Sequence, residues 1–306
     1  MSLVPAQFPQ LNRLVDLQLE VFPEHRNFLT KRFADSDAAH LDFCEQLSGN
    51  VLKVAGGDIR RIVEDYRWLS DMVLEEELFF RREGRYRLSK FSDALEQVYA
   101  NTPFMARYMN GLLASQLWWR NHTEVLRYFR DVFLPGNKNG FSHLEVGPGH
   151  GLFLALAAAA PNCASASGWD ISAASLENTR AALNAMGASS AIALQEVNIF
   201  QAPQGQFDSI TFSEVLEHLE EPLAALKILR GLLAPGGRIF VNAPVNSPAP
   251  DHLYLFRTPE DVRDMVAEAG LEIVDTCFAP PSGANLDKAR RQELSISAAV
   301  IARRPD

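Results

Sequence analysis

The chain has 306 residues, 47% of them hydrophobic and 22% charged, which suits a folded globular protein of two domains or of one large domain with an extension. A formal net charge of −9 repels phosphate backbones at long range and excludes nucleic acid as a default partner. Three widely spaced cysteines, Cys44, Cys163 and Cys277, argue for packed free thiols in a reducing compartment and against a disulfide framework.

Residues Met1 to Gln10 carry no basic residue and no apolar core, unlike a secretory signal. The longest apolar run, Leu152 to Ala160, is too short to cross a bilayer. The expectation is a cytoplasmic protein with no membrane partner. Residues 1–134 read mainly as helix and form a first expected domain. Within it, Asp58 to Met72 places Ile59, Ile62, Tyr66 and Leu69 at helical spacing. Leu78-Phe79-Phe80, a turn at Glu83-Gly84, and Tyr86-Arg87-Leu88 read as a β-hairpin. Ser92 to Tyr99 returns to helix, and Pro103 to Phe129 reads as one long or kinked helical region. The hairpin carries Arg81, Arg82, Arg85, Arg87 and Lys90. Between Asp58 and Ala100, however, eight Lys/Arg face ten Asp/Glu, so the uncompensated basic face of a DNA reader is missing.

The breaker cluster Leu134-Pro135-Gly136-Asn137-Lys138-Asn139-Gly140 marks a boundary, with a second domain expected over 141–306. Beyond it, strand and helix alternate. Strands are expected at Ser142–Val146, Ala164–Ile171, Ala191–Ile199, Phe207–Phe212, Arg238–Asn242, Leu271–Phe278 and Leu294–Ala302. Helices are expected at Leu152–Ala160, Ala173–Met186, Pro222–Leu233 (stopped by Pro235-Gly236-Gly237) and Pro259–Ala269. Such alternation implies an α/β fold, a doubly wound seven-stranded sheet with helices on both faces, and a ligand site beyond the strand C-termini. Glu145, Asp170, Asn198 and Ser213 all fall at that edge.

The most specific signal is Glu145-Val146-Gly147-Pro148-Gly149-His150-Gly151, an acidic residue two positions before a Gly-x-Gly-x-Gly turn. Glycine lets backbone approach a nucleoside closely. A dinucleotide fold wants its third glycine one residue later, where Leu152 stands, and Glu145 would repel a pyrophosphate. A carboxylate suits a cationic ligand bearing an amino group, and S-adenosylmethionine fits. The segment resembles the first motif of class I S-adenosylmethionine-dependent methyltransferases. Phe207 to Leu219, with Val215-Leu216-Glu217-His218-Leu219 at its end, resembles the fourth motif of the ubiquinone-biosynthesis type. Helix, hairpin and helix before the boundary resemble the winged-helix dimerisation module of small-molecule O-methyltransferases. That resemblance implies a Rossmann-like sheet with an antiparallel last strand, a lid-forming N-terminal domain and a homodimer.

It also implies cofactor contacts at Glu145, Gly147, Pro148, Gly149, Gly151, Asp170, Ile171, Asn198, Ile199, Ser213 and Glu214. Asp170, 19 residues after Gly151, can take both ribose hydroxyls or cap the next helix, a task Ser172 can also perform. Asn198 can bond the adenine amino group, with the Ile199 backbone at a ring nitrogen, or serve as a turn residue. His218 is a candidate base for the acceptor's proton, or a structural histidine bonded to backbone. The loop Asn242 to His252 holds three prolines; Asn246 and Asp251 are candidates for acceptor recognition and His252 for a rival base. Trp119 and Arg120 are candidates to line the pocket, Arg120 by pairing with the cofactor carboxylate, or else to pack and be solvated. No Cys-x-x-Cys, His-Glu-x-x-His or compact acid cluster signals a metal, and the spacing of His218, Asp251 and His252 does not require them to meet. No Gly-x-Ser-x-Gly elbow is present. The expected activity is methyl transfer to a small polar metabolite, on O or N ahead of C. The alternatives are a winged-helix DNA-binding regulator with a non-catalytic nucleoside domain, or a nicotinamide-dependent oxidoreductase.

Overall fold

The structure is a computed structural model that describes residues 3–188, 192–201 and 203–305. Ala191, where the third strand was expected to begin, and residues 1, 2 and 306 lie outside the described residues.

Four helices open the chain: α1 (Pro9–Val21), α2 (Arg26–Phe33), α3 (Ala38–Ala55) and α4 (Ile59–Glu83). Their ends follow local chemistry. The Asp37 side chain accepts from His40 N at the start of α3, and that of Asp58 from Arg61 N at the start of α4. Gly84, at φ 67°, stops α4 in the left-handed conformation.

The length of α4 overturns one expectation. Leu78-Phe79-Phe80 is helical, no hairpin forms over 78–88, and no strand precedes Phe141 among the described residues. In a hairpin Leu78 and Phe80 would share a face. Here Phe80 is 3% exposed and Leu78 63% exposed. Ile59, Ile62, Tyr66, Leu69, Glu76 and Phe80 instead form one continuous buried stripe at helical spacing. That stripe, packed against the later helix α6 (Thr102–Trp118), outweighs the strand propensity of the local triplet. The arginines of the supposed wing are engaged within the chain. Arg87 donates to both Glu76 oxygens at 2.9 and 3.1 Å, and Arg81 bonds Glu77 and the carbonyls of Gln292 and Glu293.

A short helix, α5 (Phe91–Ala94), runs on as a π-helical turn to Tyr99, and α6 is followed by α7 (Arg120–Tyr128). Between them Trp119 takes an extended ψ of 116°, the kink expected over Pro103–Phe129. The alternating part then runs β1 (Phe141–Val146), α8 (Leu152–Ala158), β2 (Cys163–Asp170), α9 (Ala173–Met186), β3 (Ile192–Glu196), β4 (Phe207–Ser213), α10 (Pro222–Leu232), β5 (Leu233–Val245), α11 (Pro259–Glu268), β6 (Glu272–Ala279), α12 (Leu286–Arg291) and β7 (Ile296–Arg303). The sheet order is β3-β2-β1-β4-β5-β7-β6, with β7 antiparallel to both neighbours, as expected of the last strand. Two details differ. β5 begins at Leu233, earlier than expected, with Pro235-Gly236-Gly237 in the register shift between the pairs Phe207–Leu233 and Ser209–Arg238, and α12 was not among the expected helices.

Apolar residues cover both faces of the sheet. One cluster joins the N-terminal helices to the sheet: Phe129 meets Phe153 of α8 at 5.0 Å and Phe240 of β5 at 5.1 Å between ring centroids. The opposite face buries Ile210, Phe212, Ile239 and Val241 under α10 and α11. Among the described residues no helix is long and apolar enough to cross a membrane. Because β3, β2, β1, β4 and β5 run parallel, their C-termini form a single edge, and the N-terminal helices reach over it.

Candidate active site

The glycine turn opens this edge. Gly147, Gly149 and Gly151 have φ of 71°, 48° and 74°, values that only glycine adopts without strain. A Cβ on Gly147 would stand 2.8 Å from Val215 Cγ2, and one on Gly149 would stand 3.4 Å from Met109 Cε of α6. The turn is thus clasped between the loop after β4 and the N-terminal helices.

Glu145 does not stand open on the rim. It is 2% exposed, its Oε2 has no hydrogen-bond partner, and burial pushes its carboxyl well above the usual range, offset in part by the Leu154 N–H. An orphaned buried acceptor beneath the turn is what an ammonium donor from a ligand, or a proton, would satisfy. Asp170 lies on the adjacent strand, two positions beyond the register partner of Glu145. Its Oδ1 accepts from Ser172 N and its Oδ2 from Ser175 Oγ, each at 2.8 Å, while Ser172 caps α9 as expected. Each Asp170 oxygen keeps a lone pair, so helix start and ribose binding are compatible. Burial raises its carboxyl despite these bonds. Ile171 beside it is 53% exposed. Asn198 serves the turn through its oxygen, which accepts from Phe200 N at 2.9 Å, while Ile199 is buried. These residues fit an adenosyl donor: an orphaned carboxylate, a glycine cradle, a second carboxylate with free lone pairs and an exposed apolar side chain follow one another along one edge.

At the end of β4, Ser213 Oγ accepts from Asn242 Nδ2 at 3.1 Å. Glu214 has φ 55°, a strained value for a side-chain-bearing residue, held by its N–H to Asn242 O (2.8 Å) and by Asn242 Nδ2 to its Oε1 (2.7 Å). Burial raises the Glu214 carboxyl to about 7 against that bond.

The strain at Glu214 turns the chain so that Glu217 and His218 meet Asp251 and His252 from the loop after β5. The Glu217 carbonyl accepts both Leu253 N (2.7 Å) and Tyr254 N (2.9 Å), which stitches the two loops together. The histidine rings cross edge to face at 4.9 Å. His218 Nδ1 lies 3.4 Å from Asp251 Oδ2 and 3.1 Å from the Asp251 carbonyl, and its side chain is 19% exposed. Tyr99 and Tyr108 from the helical part donate to the two Asp251 oxygens at 3.0 and 2.9 Å. Burial works against the charge of Asp251, but the two histidines and the two tyrosines together hold it below the usual carboxylate range. Burial, with Glu214 and Asp251 nearby, pushes Glu217 far the other way. Burial and the neighbouring His218 lower His252 to about 4, against the pull of Asp251 and the Ser247 carbonyl.

His218, Asp251 and His252 therefore come together, although their spacing did not require it. Asn246 turns out to hold the loop: it has φ 48°, and its Nδ2 donates to the Arg257 carbonyl at 3.0 Å. The polar contacts of Trp119 and Arg120 are to Tyr66 (3.0 Å) and Glu124 (3.7 Å), not to the histidine cluster. Sequence reasoning missed Glu217, Tyr99 and Tyr108. Glu217 had a signal, standing three residues after Glu214 in Glu-Val-Leu-Glu-His; the tyrosines had none.

Sheet order, antiparallel β7 and the glycine turn beneath a helical cap define a class I S-adenosylmethionine-dependent methyltransferase. A family model described as "Methyltransferase domain" matches residues 118–276, and the chain belongs to that family. The ubiquinone biosynthesis O-methyltransferase of Neisseria meningitidis serogroup C (strain 053442) is 28% identical over 188 residues, covering 52% of this chain and 78% of the relative. Its namesake in Xanthomonas campestris pv. campestris (strain B100) is 40% identical over 57 residues, 18% of this chain and 24% of the relative. Among solved structures, an O-methyltransferase family protein from Burkholderia thailandensis has a TM-score of 0.54 at 14% identity, covering 82% of this chain and 73% of its own. The pyocyanin biosynthetic protein PhzM also has a TM-score of 0.54, at 18% identity, covering 84% and 76%. These structural likenesses show the fold, helical cap included.

Proposed function

We propose that this enzyme methylates a hydroxyl oxygen of a small polar metabolite. The observation that carries the reading is His218, partly exposed at the sheet's C-terminal edge, with its Nδ1 held by Asp251. With Nδ1 occupied as a donor, its Nε2 is left to take a proton. Bound S-adenosylmethionine supplies a methyl carbon on a positive sulfur, and the protein's part is to hold the acceptor against it and accept the proton the acceptor loses. Proton acceptors crowd this spot and can take the proton that an acceptor hydroxyl loses as it attacks the methyl carbon. The O-methyltransferase names of the meningococcal and Xanthomonas relatives support the same choice.

In this reading Glu145, Gly147, Pro148, Gly149, Gly151, Asp170, Ile171, Asn198, Ile199, Ser213 and Glu214 hold the donor. Residues 1–134 serve as the lid of a catalytic unit over 141–306: Met109, Tyr99 and Tyr108 already lie against the glycine turn and the histidine loop. The helical part would also supply a homodimer contact, which sedimentation would test; Leu74 and Leu78 are the large apolar side chains exposed on α4. Incubating the protein with S-adenosylmethionine and matched panels of phenols, aliphatic alcohols and amines, with S-adenosylhomocysteine read by chromatography, tests the acceptor class. Turnover confined to amines would remove the oxygen assignment, and failure to bind S-adenosylhomocysteine would count against the donor site.

A further inference from the structure

The carboxylate of Asp251 reaches His218 through a third residue. Asp251 Oδ2 stands 3.4 Å from His218 Nδ1, beyond the usual length of an N–H···O bond. The Tyr99 hydroxyl closes that gap, 3.1 Å from His218 Nδ1 and 3.0 Å from Asp251 Oδ2. The chemistry of the groups sets which way the hydrogens run. Burial, and then the charge of Asp251, push the Tyr99 hydroxyl well above its ordinary range, so it keeps its hydrogen. Asp251 is held below the usual carboxylate range, and an ionised carboxylate only accepts. Tyr99 therefore donates to Asp251, and its oxygen is left to accept the Nδ1–H of His218. The Asp251 carbonyl, at 3.1 Å, shares that hydrogen.

Tyr99 is aimed by a departure from α-helical geometry. It ends the π-helical turn Leu95–Tyr99, in which Ala100 N bonds Leu95 O, five residues back, at 2.8 Å. Single π-helical turns recur at functional sites, where the extra residue redirects a side chain. The segment before it is tied to both loops of the site. Phe91 N donates to Glu220 Oε1 in the loop after β4 at 2.7 Å, and Ser247 N, in the loop after β5, donates to the Tyr86 hydroxyl at 3.1 Å. Tyr108 serves the other Asp251 oxygen at 2.9 Å. Among the described residues, Tyr99 is the hydroxyl that bonds both the carboxylate and the ring.

We infer that Tyr99 is a positioning residue for methyl transfer: its hydroxyl links Asp251 to His218 and holds the ring with Nε2 turned to the acceptor. That role rests on the methyl-transfer reading; the relay of hydrogen bonds does not. As the acceptor oxygen bonds the methyl carbon, its proton passes to His218 Nε2 and the ring becomes cationic. The hydrogens on Nδ1 and on Tyr99 stay where they are, and both bonds of the relay strengthen because charge now stands at each end. The other charged or titratable groups facing the ring are Glu217, with Oε1 3.5 Å from Nε2, and His252, 4.9 Å away between centroids. Both are common to the variants compared below. Because Tyr99 belongs to the helical cap, the base is complete only while residues 86–99 are seated on the two loops.

The test follows the carbon-13 signal of the His218 ring against pH in the full chain without donor or acceptor, the signal being assigned with His218→Gln. Tyr99→Phe should move the midpoint down by about 0.5 pH units or more, because the cationic ring loses its link to Asp251. Tyr108→Phe takes a bond of similar length from the same carboxylate, leaves its charge less dispersed, and should not lower the midpoint. Far-UV dichroism reports whether each variant folds. With the acceptor that the panels identify, Tyr99→Phe should lower kcat by about tenfold or more and leave the KM for S-adenosylmethionine in place. A midpoint that stays or rises in Tyr99→Phe, or falls equally in both variants, would overturn the relay and leave Tyr99 as a packing contact. A lowered midpoint in a protein whose wild type turns over no acceptor would keep the relay and remove His218 from base duty.

Discussion

The Tyr108 hydroxyl donates a 2.9 Å hydrogen bond to Asp251 Oδ1, fastening α6 to the loop after β5 across 143 residues of sequence. Tyr99 does the same to Oδ2 and also touches His218. The helical cap and the histidine cluster therefore share one buried carboxylate, and cap position and loop position are linked.

Tyr108→Phe removes a donor to a buried charged group and should lower unfolding free energy by about 1.5–3 kcal/mol, read from urea unfolding. Tyr99→Phe should cost a similar amount and also disturb His218. Because both hydroxyls serve one carboxylate, the double variant should depart from additivity by about 0.5 kcal/mol or more. Strict additivity would mean that the two bonds act independently.

Gly147→Ala and Gly187→Ala separate two kinds of glycine requirement. Gly187 has φ 81° with nothing within 4 Å of an added Cβ, so its replacement should cost only the backbone strain of about 1–2 kcal/mol. Gly147 adds a 2.8 Å clash with Val215 beside the proposed donor site. Its replacement should lower the melting temperature further and weaken S-adenosylhomocysteine by about tenfold or more, the equivalent of about 1.4 kcal/mol. Equal affinity in the two variants would place the donor elsewhere.

Asp170→Asn keeps an acceptor oxygen for one of the two serine bonds and should leave α9 intact by far-UV dichroism. It should still weaken S-adenosylhomocysteine by about 10-fold or more, because hydrogen bonds to a charged group are worth about 1.5–3 kcal/mol. Unchanged affinity would leave Asp170 with the helix start alone.

Acid stability should report on His143. The residue is 1% exposed, with ring nitrogens on Ser209 Oγ (2.9 Å) and Thr211 Oγ1 (3.3 Å), and burial lowers it to about 3 from an ordinary value of 6.5. Above pH 6.5 neither the folded nor the unfolded state is protonated here, and the stabilisation is fully present. Between pH 6.5 and about 3 only the unfolded state takes up the proton, so stability falls as pH falls, by up to about 1.4 kcal/mol per pH unit from this group. His143→Gln should flatten the dependence of the urea midpoint on pH over that window. An unchanged slope would mean that His143 titrates normally in the folded state.

Local signals are legible in the sequence wherever backbone geometry is fixed by neighbouring residues. The strand–helix alternation after Gly140, the positive-φ glycine turn, the Ser172 cap and the Gly187 stop of α9 could all be read there, because each depends on residues within a few positions. The same local logic failed at Leu78-Phe79-Phe80, whose strand propensity was overruled by a stripe of contacts to α6. It put Glu145 at the strand edge, where it lies, but gave no sign that the side chain is buried there.

The sequence by itself determined the sheet, its order of elements and the glycine-edged donor loop, since hydrophobic period and turn chemistry are properties of short segments. Only the tertiary structure decided that Glu217, His218, Asp251 and His252 converge and that Tyr99 and Tyr108 lock them. Those contacts join residues between 33 and 152 positions apart, and no local pattern encodes which side chains a folded edge will bring face to face.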